Sequence, residues 1–241
     1  MLILENIHKT YFTRTSETKV INGISLTVKK GQVFGFLGPN GAGKTTTVKM
    51  IVGLLFPDSG TSTVQNLPSD SLEAKRLIGF MPENPQFYNH LNAAEVMDFA
   101  GNLFDLDEKI IKKRTKDLLQ KVGLGSSSKL PVRKFSKGML QRLAFAVALI
   151  NEPKLLVLDE PLDGLDPLGR LDFKKLLLDL KRRGATIFFS SHILADVEEI
   201  CDEIAILNNG KIIRQGMPKK LIGSSYKTLE EMFVETIRYD D

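Results

Sequence analysis

Apolar residues in this chain gather either in short continuous runs or in helically spaced stripes, and the two arrangements alternate. Residues 32–37 form a short, largely apolar run of buried-strand type, and residues 46–55 follow with helical spacing that ends before Pro57. A second buried-strand run, residues 155–158, ends in Asp159, Glu160 and Pro161. Next comes a predicted helix over residues 167–183, stopped by Gly184, and a third apolar run over 185–189 that ends in Ser190, Ser191 and His192. Buried strands separated by helices predict a parallel sheet, whose C-terminal strand ends share the edge where ligands bind in open α/β folds.

The flanking segments follow other rules. The first thirty residues read as strands and turns, with 19–28 partly alternating and a Lys29-Lys30-Gly31 turn leading into the first buried strand. Helical spacing over 93–104 and 108–122, a Gly/Ser-rich break at 123–128 and a third helix over 138–150 predict a helical insert. A hairpin is predicted from 204–207 and 211–214 around Asn208-Asn209-Gly210, then an amphipathic segment near 229–237.

Between the first buried strand and its helix lie Gly38, Pro39, Asn40, Gly41, Ala42, Gly43, Lys44 and Thr45, the pattern G-x-x-x-x-G-K-[ST]. The glycines let successive backbone N–H groups converge, Lys44 adds a charge at the outer phosphates, and the Thr45 hydroxyl suits Mg²⁺. The phosphates then lie at the N-terminus of the helix that Thr46 enters, where free N–H groups and the helix dipole favour anions. Hydrolysis needs a Mg²⁺ anchor and a group that orients or deprotonates water; Asp159 suits the metal shell and Glu160 the attacking water. A lone histidine more often serves the surface than catalysis, but His192 gains weight by following the third strand. The fold expected is α/β: a P-loop NTPase core with a mostly parallel sheet, an N-terminal antiparallel β subdomain and an inserted α-helical subdomain.

Composition narrows the setting. A chain of 241 residues with 26% charged and 42% hydrophobic residues reads as soluble and globular. Its longest apolar run, residues 143–150, is far below the ~18 residues of a membrane span, and no signal peptide is visible. The single cysteine, Cys201, reads as a packed thiol. A net charge of +4, with acidic and basic residues interleaved, does not point to nucleic acid.

Taken in order, the motifs closely resemble the ATP-binding cassette (ABC) family over essentially the whole chain. Phe135-Ser136-Lys137-Gly138-Met139, followed by Gln141-Arg142, is similar to the family signature L-S-G-G-Q; residues 155–161 resemble Walker B; Gly164-Leu165-Asp166 resembles the D-loop and His192 the switch histidine. Tyr11 stands where family members stack an aromatic on adenine. The resemblance implies one nucleotide-binding domain over 1–241, with 1–30 and 60–80 β-rich, 31–59 and 151–216 as ATPase core, 84–150 as helical insert and 217–241 as tail. It also implies an ATP-hydrolysing transporter subunit of exporter type. Two cassettes, in a homodimer or a heterodimer, would close head to tail on ATP, so that Ser136 and Gly138 of one copy touch the γ-phosphate held by Lys44 of the other. Mg²⁺ is the cofactor implied, integral membrane permease subunits are the partners, and the cytoplasmic membrane face is the location, with no direct nucleic acid. Residues 85–91, with Phe87, Tyr88 and His90, are the surface expected to receive the membrane partner.

Two motifs depart from the family pattern. Lys137 and Met139 replace the first glycine and the glutamine of the signature, leaving Lys137 either to add charge near phosphate or to be solvated. Glu83 stands where most relatives carry the Q-loop glutamine; a carboxylate there still suits Mg²⁺, and a surface acid in a Pro-rich loop is the other reading. A soluble ABC ATPase without transport is the competing class, but the chain holds one cassette and no heptad stretch. A GTPase reading fails for want of an N-K-x-D motif.

Overall fold

The computed structural model describes residues 1–13 and 15–238, so the last three residues of the expected tail lie outside the described residues. Strands β1 (Leu2–Phe12) and β2 (Glu17–Val28) pair antiparallel at the N-terminus. Strand β3 (Val33–Leu37) and helix α1 (Lys44–Ile51) follow, then β4 (Ser59–Val64), β5 (Leu67–Pro68), α2 (Leu72–Arg76) and β6 (Ile78–Met81). The insert comprises α3 (Ala93–Leu103), α4 (Glu108–Lys121) and α5 (Lys137–Ala148). The chain then runs through β7 (Leu155–Asp159), α6 (Pro167–Arg182), β8 (Thr186–Ser191), α7 (Leu194–Ile200), the hairpin β9 (Glu203–Asn208) and β10 (Lys211–Gly216), α8 (Pro218–Ile222) and α9 (Leu229–Arg238).

A four-stranded antiparallel sheet, order β2-β1-β4-β5, packs beside a six-stranded sheet of order β10-β9-β3-β8-β7-β6. The six-stranded sheet is parallel except for the β9–β10 hairpin. Every residue of β3, β7 and β8 is buried, as continuous apolar runs require when helices cover both faces. Alternate residues of β1 and β2, among them Leu4, Ile7, Ile24 and Leu26, form a second core with Phe34, Phe36 and Val48.

Three departures from the expected boundaries have a visible cause. Helix α1 begins at Lys44 and ends at Ile51, because Gly53 takes φ 67 and the Leu54 and Leu55 N–H groups turn back to the Lys49 carbonyl. Helix α5 starts at Lys137, since the Ser136 hydroxyl accepts from Met139 N at 3.3 Å and caps it. Strand β6 pairs in parallel with β7, so residues 78–80, which the sequence subdivision grouped with the β-rich part, lie in the core sheet. Two caps expected of their residue types are present: a reciprocal Asn92–Glu95 capping box opens α3, and Asp166 caps α6 ahead of Pro167.

Candidate functional site

The phosphate loop joins β3 to α1, and tertiary packing leaves no room for side chains at two of its glycines. A Cβ at Gly38 would meet the Leu207 carbonyl at 2.4 Å, and one at Gly43 would meet Ile21 Cδ1 at 2.5 Å. Gly43 also takes φ 108, a conformation that favours glycine. Lys44 is buried, and its Nζ donates to the Gly38 carbonyl at 2.9 Å and the Pro39 carbonyl at 3.3 Å. The lysine thus staples the loop to itself through two of its carbonyls.

Adjacent strand ends supply the rest. Parallel pairing of β7 with β8 sets Asp159 beside Ser190. The Ser190 hydroxyl donates to Asp159 Oδ1 at 2.6 Å and accepts from Glu160 N at 3.0 Å. Glu160 follows with φ 49, an uncommon backbone for a non-glycine residue, which turns its side chain off the strand into the cleft. One carboxylate oxygen lies 3.4 Å from Lys44 Nζ. The other lies 2.8 Å from His192 Nδ1 and accepts from His192 N at 3.2 Å. Glu160 is therefore held between the phosphate-binding lysine and the switch-position histidine. Burial lifts the Asp159 carboxyl above its usual range, against hydrogen bonds from Ser190 and Thr45 that pull the other way.

These groups face a cleft of about 640 Å³. Of the residues expected from sequence, Asn40, Gly41, Gly43, Lys44, Thr45, Thr46, Glu83, Glu160 and His192 line it. Gly38, Pro39 and Ala42 form the loop behind them, and Asp159 lies buried where Thr45 reaches it. The structure does not bring the remaining candidates to the cleft wall. Tyr11 lies out on β1, 41% exposed, with Lys9 Nζ 6.0 Å from its ring centroid. Ser136 and Gly138 sit at the start of α5, outside the lining. Lys137, half-exposed, pairs with the cleft-lining Asp163 at 2.8 Å, and its methylenes occupy the space over Gly164. That hydrogen bond holds the Asp163 carboxyl below its usual range.

Three participants were missed in the sequence reading. Val20, on β2, and Asp163 both line the cleft. Gln141 is fully buried and donates to the Glu83 carbonyl at 2.9 Å. For Asp163 the neighbouring D-loop resemblance was a usable signal; for Val20 no local pattern exists. A second cleft, of about 510 Å³ between α4, α5 and α6, has Leu118, Phe145 and Leu176 in its walls and no phosphate cradle. Cys201 is a buried thiol whose burial pushes its pKa well up, which keeps it unreactive.

The oxygen set Thr45, Asp159 and Glu83 fits Mg²⁺, which takes one or two carboxylates and fills its shell with water and phosphate oxygens. No group of three or more His, Cys, Asp or Glu able to hold a metal occurs among the described residues.

Comparison with known proteins agrees with this geometry. A family profile described as ABC transporter matches residues 21–163. The chain is 39% identical over 240 residues to the lantibiotic transport ATP-binding protein SrtF of Streptococcus pyogenes, covering 100% of this chain and 99% of that protein. It is 43% identical over 223 residues to an uncharacterized ABC transporter ATP-binding protein of Nostoc sp., covering 92% of this chain and 67% of the relative. A solved structure of the ATP-binding subunit of an ABC transporter superposes with TM-score 0.88 at 31% identity, covering 98% of this chain and 99% of the other.

Proposed function

This chain belongs to the ABC transporter family as an ATP-binding, ATP-hydrolysing subunit, and we propose that it works as half of a composite site. The observation that carries the reading is Glu160, buried and held 3.4 Å from Lys44 and 2.8 Å from His192 at the mouth of the phosphate loop. Residues 38–46 bind the phosphates through backbone N–H groups and Lys44, while Tyr11 takes the adenine side when nucleotide is present. Thr45, Asp159 and Glu83 hold Mg²⁺, which supplies charge neutralisation at the phosphates. Glu160 orients the attacking water and accepts its proton, and His192 fixes the carboxylate through Nδ1 and its backbone N–H.

The signature face completes the site from a second cassette, which is why Ser136 and Gly138 lie away from the cleft of their own chain. Gly138 permits close approach and α5 presents its N-terminus, so both suit a γ-phosphate held by another copy. Loss of that phosphate removes the bridge and reopens the pair. We assign the two β-rich segments, the ATPase core, the helical insert and the tail to one nucleotide-binding domain. The end-to-end match to a lantibiotic transport subunit supports export through separate membrane subunits at the cytoplasmic face. No helix among the described residues is long and apolar enough to cross a membrane. Tyr88, 61% exposed and edge-on to the half-exposed Phe99 at 6.0 Å, marks the surface for the membrane partner; Phe87, also expected there, packs inward.

The test is to pull this chain from detergent-solubilised membranes with and without ATP. A multi-span membrane protein in stoichiometric amount is the expected companion; recovery only from the soluble fraction would remove the transport reading.

A further inference from the structure

We infer that Gln141 is a positioning residue for Glu83: from inside α5 it fixes the backbone that presents the Glu83 carboxylate to the cleft, and so sets the site's affinity for a divalent cation. The inference rests on the proposal above that Glu83 is a cation ligand.

Gln141 has 0% of its surface exposed, and its Nε2 donates to the Glu83 carbonyl at 2.9 Å. A carbonyl can only accept, so this bond settles which end of the amide faces the loop. The other end, Oε1, is buried with no hydrogen-bond partner. An idle buried acceptor is costly, and an apolar side chain of similar length would avoid it. The amide is therefore at this position for its donor end, which serves Glu83 alone.

Glu83 needs such a tether. It follows β6 in a segment outside any strand or helix, and among the described residues the bond from Gln141 is the one that reaches its carbonyl. Glu83 lines the cleft with Thr45 and Glu160. Gln141 meanwhile belongs to the helix that Ser136 caps, so a single buried amide joins the signature helix to the cation side of the same chain's cleft.

The test uses the full chain, Mn²⁺ as probe cation and a non-hydrolysable ATP analogue, with free Mn²⁺ read by electron paramagnetic resonance. Gln141→Met and Glu83→Ala are each expected to weaken Mn²⁺ binding about 10-fold. The double variant should bind no more weakly than Glu83→Ala, and analogue binding in EDTA should be unchanged throughout. Should Gln141→Met not fold, Gln141→Leu supplies the same loss of donor. Parent-like Mn²⁺ affinity in the Gln141 variant, with loss in Glu83→Ala, overturns the positioning role and leaves Glu83 as ligand. No loss in Glu83→Ala removes both readings, and losses that multiply in the double variant also overturn the inference.

Discussion

The phosphate cleft and the signature face each lie at the start of a helix, yet they differ in how far their groups are buried and paired. In the cleft, Lys44, Asp159 and Glu160 are at least nine-tenths buried and each has partners in place. At the signature face, Ser136 and Lys137 are exposed, the Ser136 hydroxyl is spent on capping α5, and Lys137 reaches sideways to Asp163. A buried charge must be preorganised because an unpaired one is expensive. Exposed groups carry no such requirement. The difference teaches that the cleft is preorganised within one chain while the signature face is not, the asymmetry expected under the proposed head-to-tail pairing.

The sharpest way to break this comparison is at Glu160. Glu160→Gln should lower turnover by about 10²–10⁴-fold while ATP binding persists and a closed dimer accumulates on size-exclusion chromatography. Unimpaired turnover would take the base role from Glu160. Lys44→Ala comes next: loss of a charged contact of this kind predicts ATP binding weaker by roughly 10- to 100-fold, measured by calorimetry.

Mixing sharpens the comparison further. Lys44→Ala and Ser136→Ala chains should each hydrolyse ATP poorly alone. Combined, they should recover turnover above the sum of the two, because a mixed pair holds one intact composite site. A strictly additive result argues that each site is completed within a single chain. Ser136→Ala should also cost about 1 kcal/mol of stability through loss of the cap, read by denaturant unfolding.

The smallest effect belongs to Lys137→Met. Its ion pair with Asp163 is partly exposed, so solvent screening holds the contribution to at most about 1 kcal/mol. The Asp163 carboxyl titrates lower in the folded chain than unfolded, so the stabilisation is present above the ordinary carboxylate pKa of about 4 and fades as pH falls through the folded value. The gap in melting temperature between parent and variant should therefore close in acid. An equal gap at neutral and acid pH would dissociate Lys137 from Asp163.

Where the chemistry is written in contiguous residues, the sequence was enough. The run from Gly38 to Thr45 is a local pattern, and the buried strands announce themselves because a strand covered on both faces is apolar along most of its length. Their order along the chain carried Asp159, Glu160 and His192 to one edge. Periodicity also found the helices of the insert, missing ends by a residue or two where a glycine or a cap set the boundary.

What periodicity does not encode is which distant segments touch. Gln141 meets Glu83 across 58 positions and Lys137 meets Asp163 across 26, and nothing local to either end marks the partner. Val20 enters the cleft wall, and residues 78–80 join the core sheet, for the same reason. The sequence by itself thus determined that this protein binds nucleotide phosphates at the ends of parallel strands, because backbone geometry and burial impose those patterns locally. Only the tertiary structure decided that Ser136 and Gly138 lie outside the lining of their own chain's cleft while Gln141 and Lys137 reach Glu83 and Asp163 in it, since long-range packing chooses among contacts that no short window of sequence distinguishes.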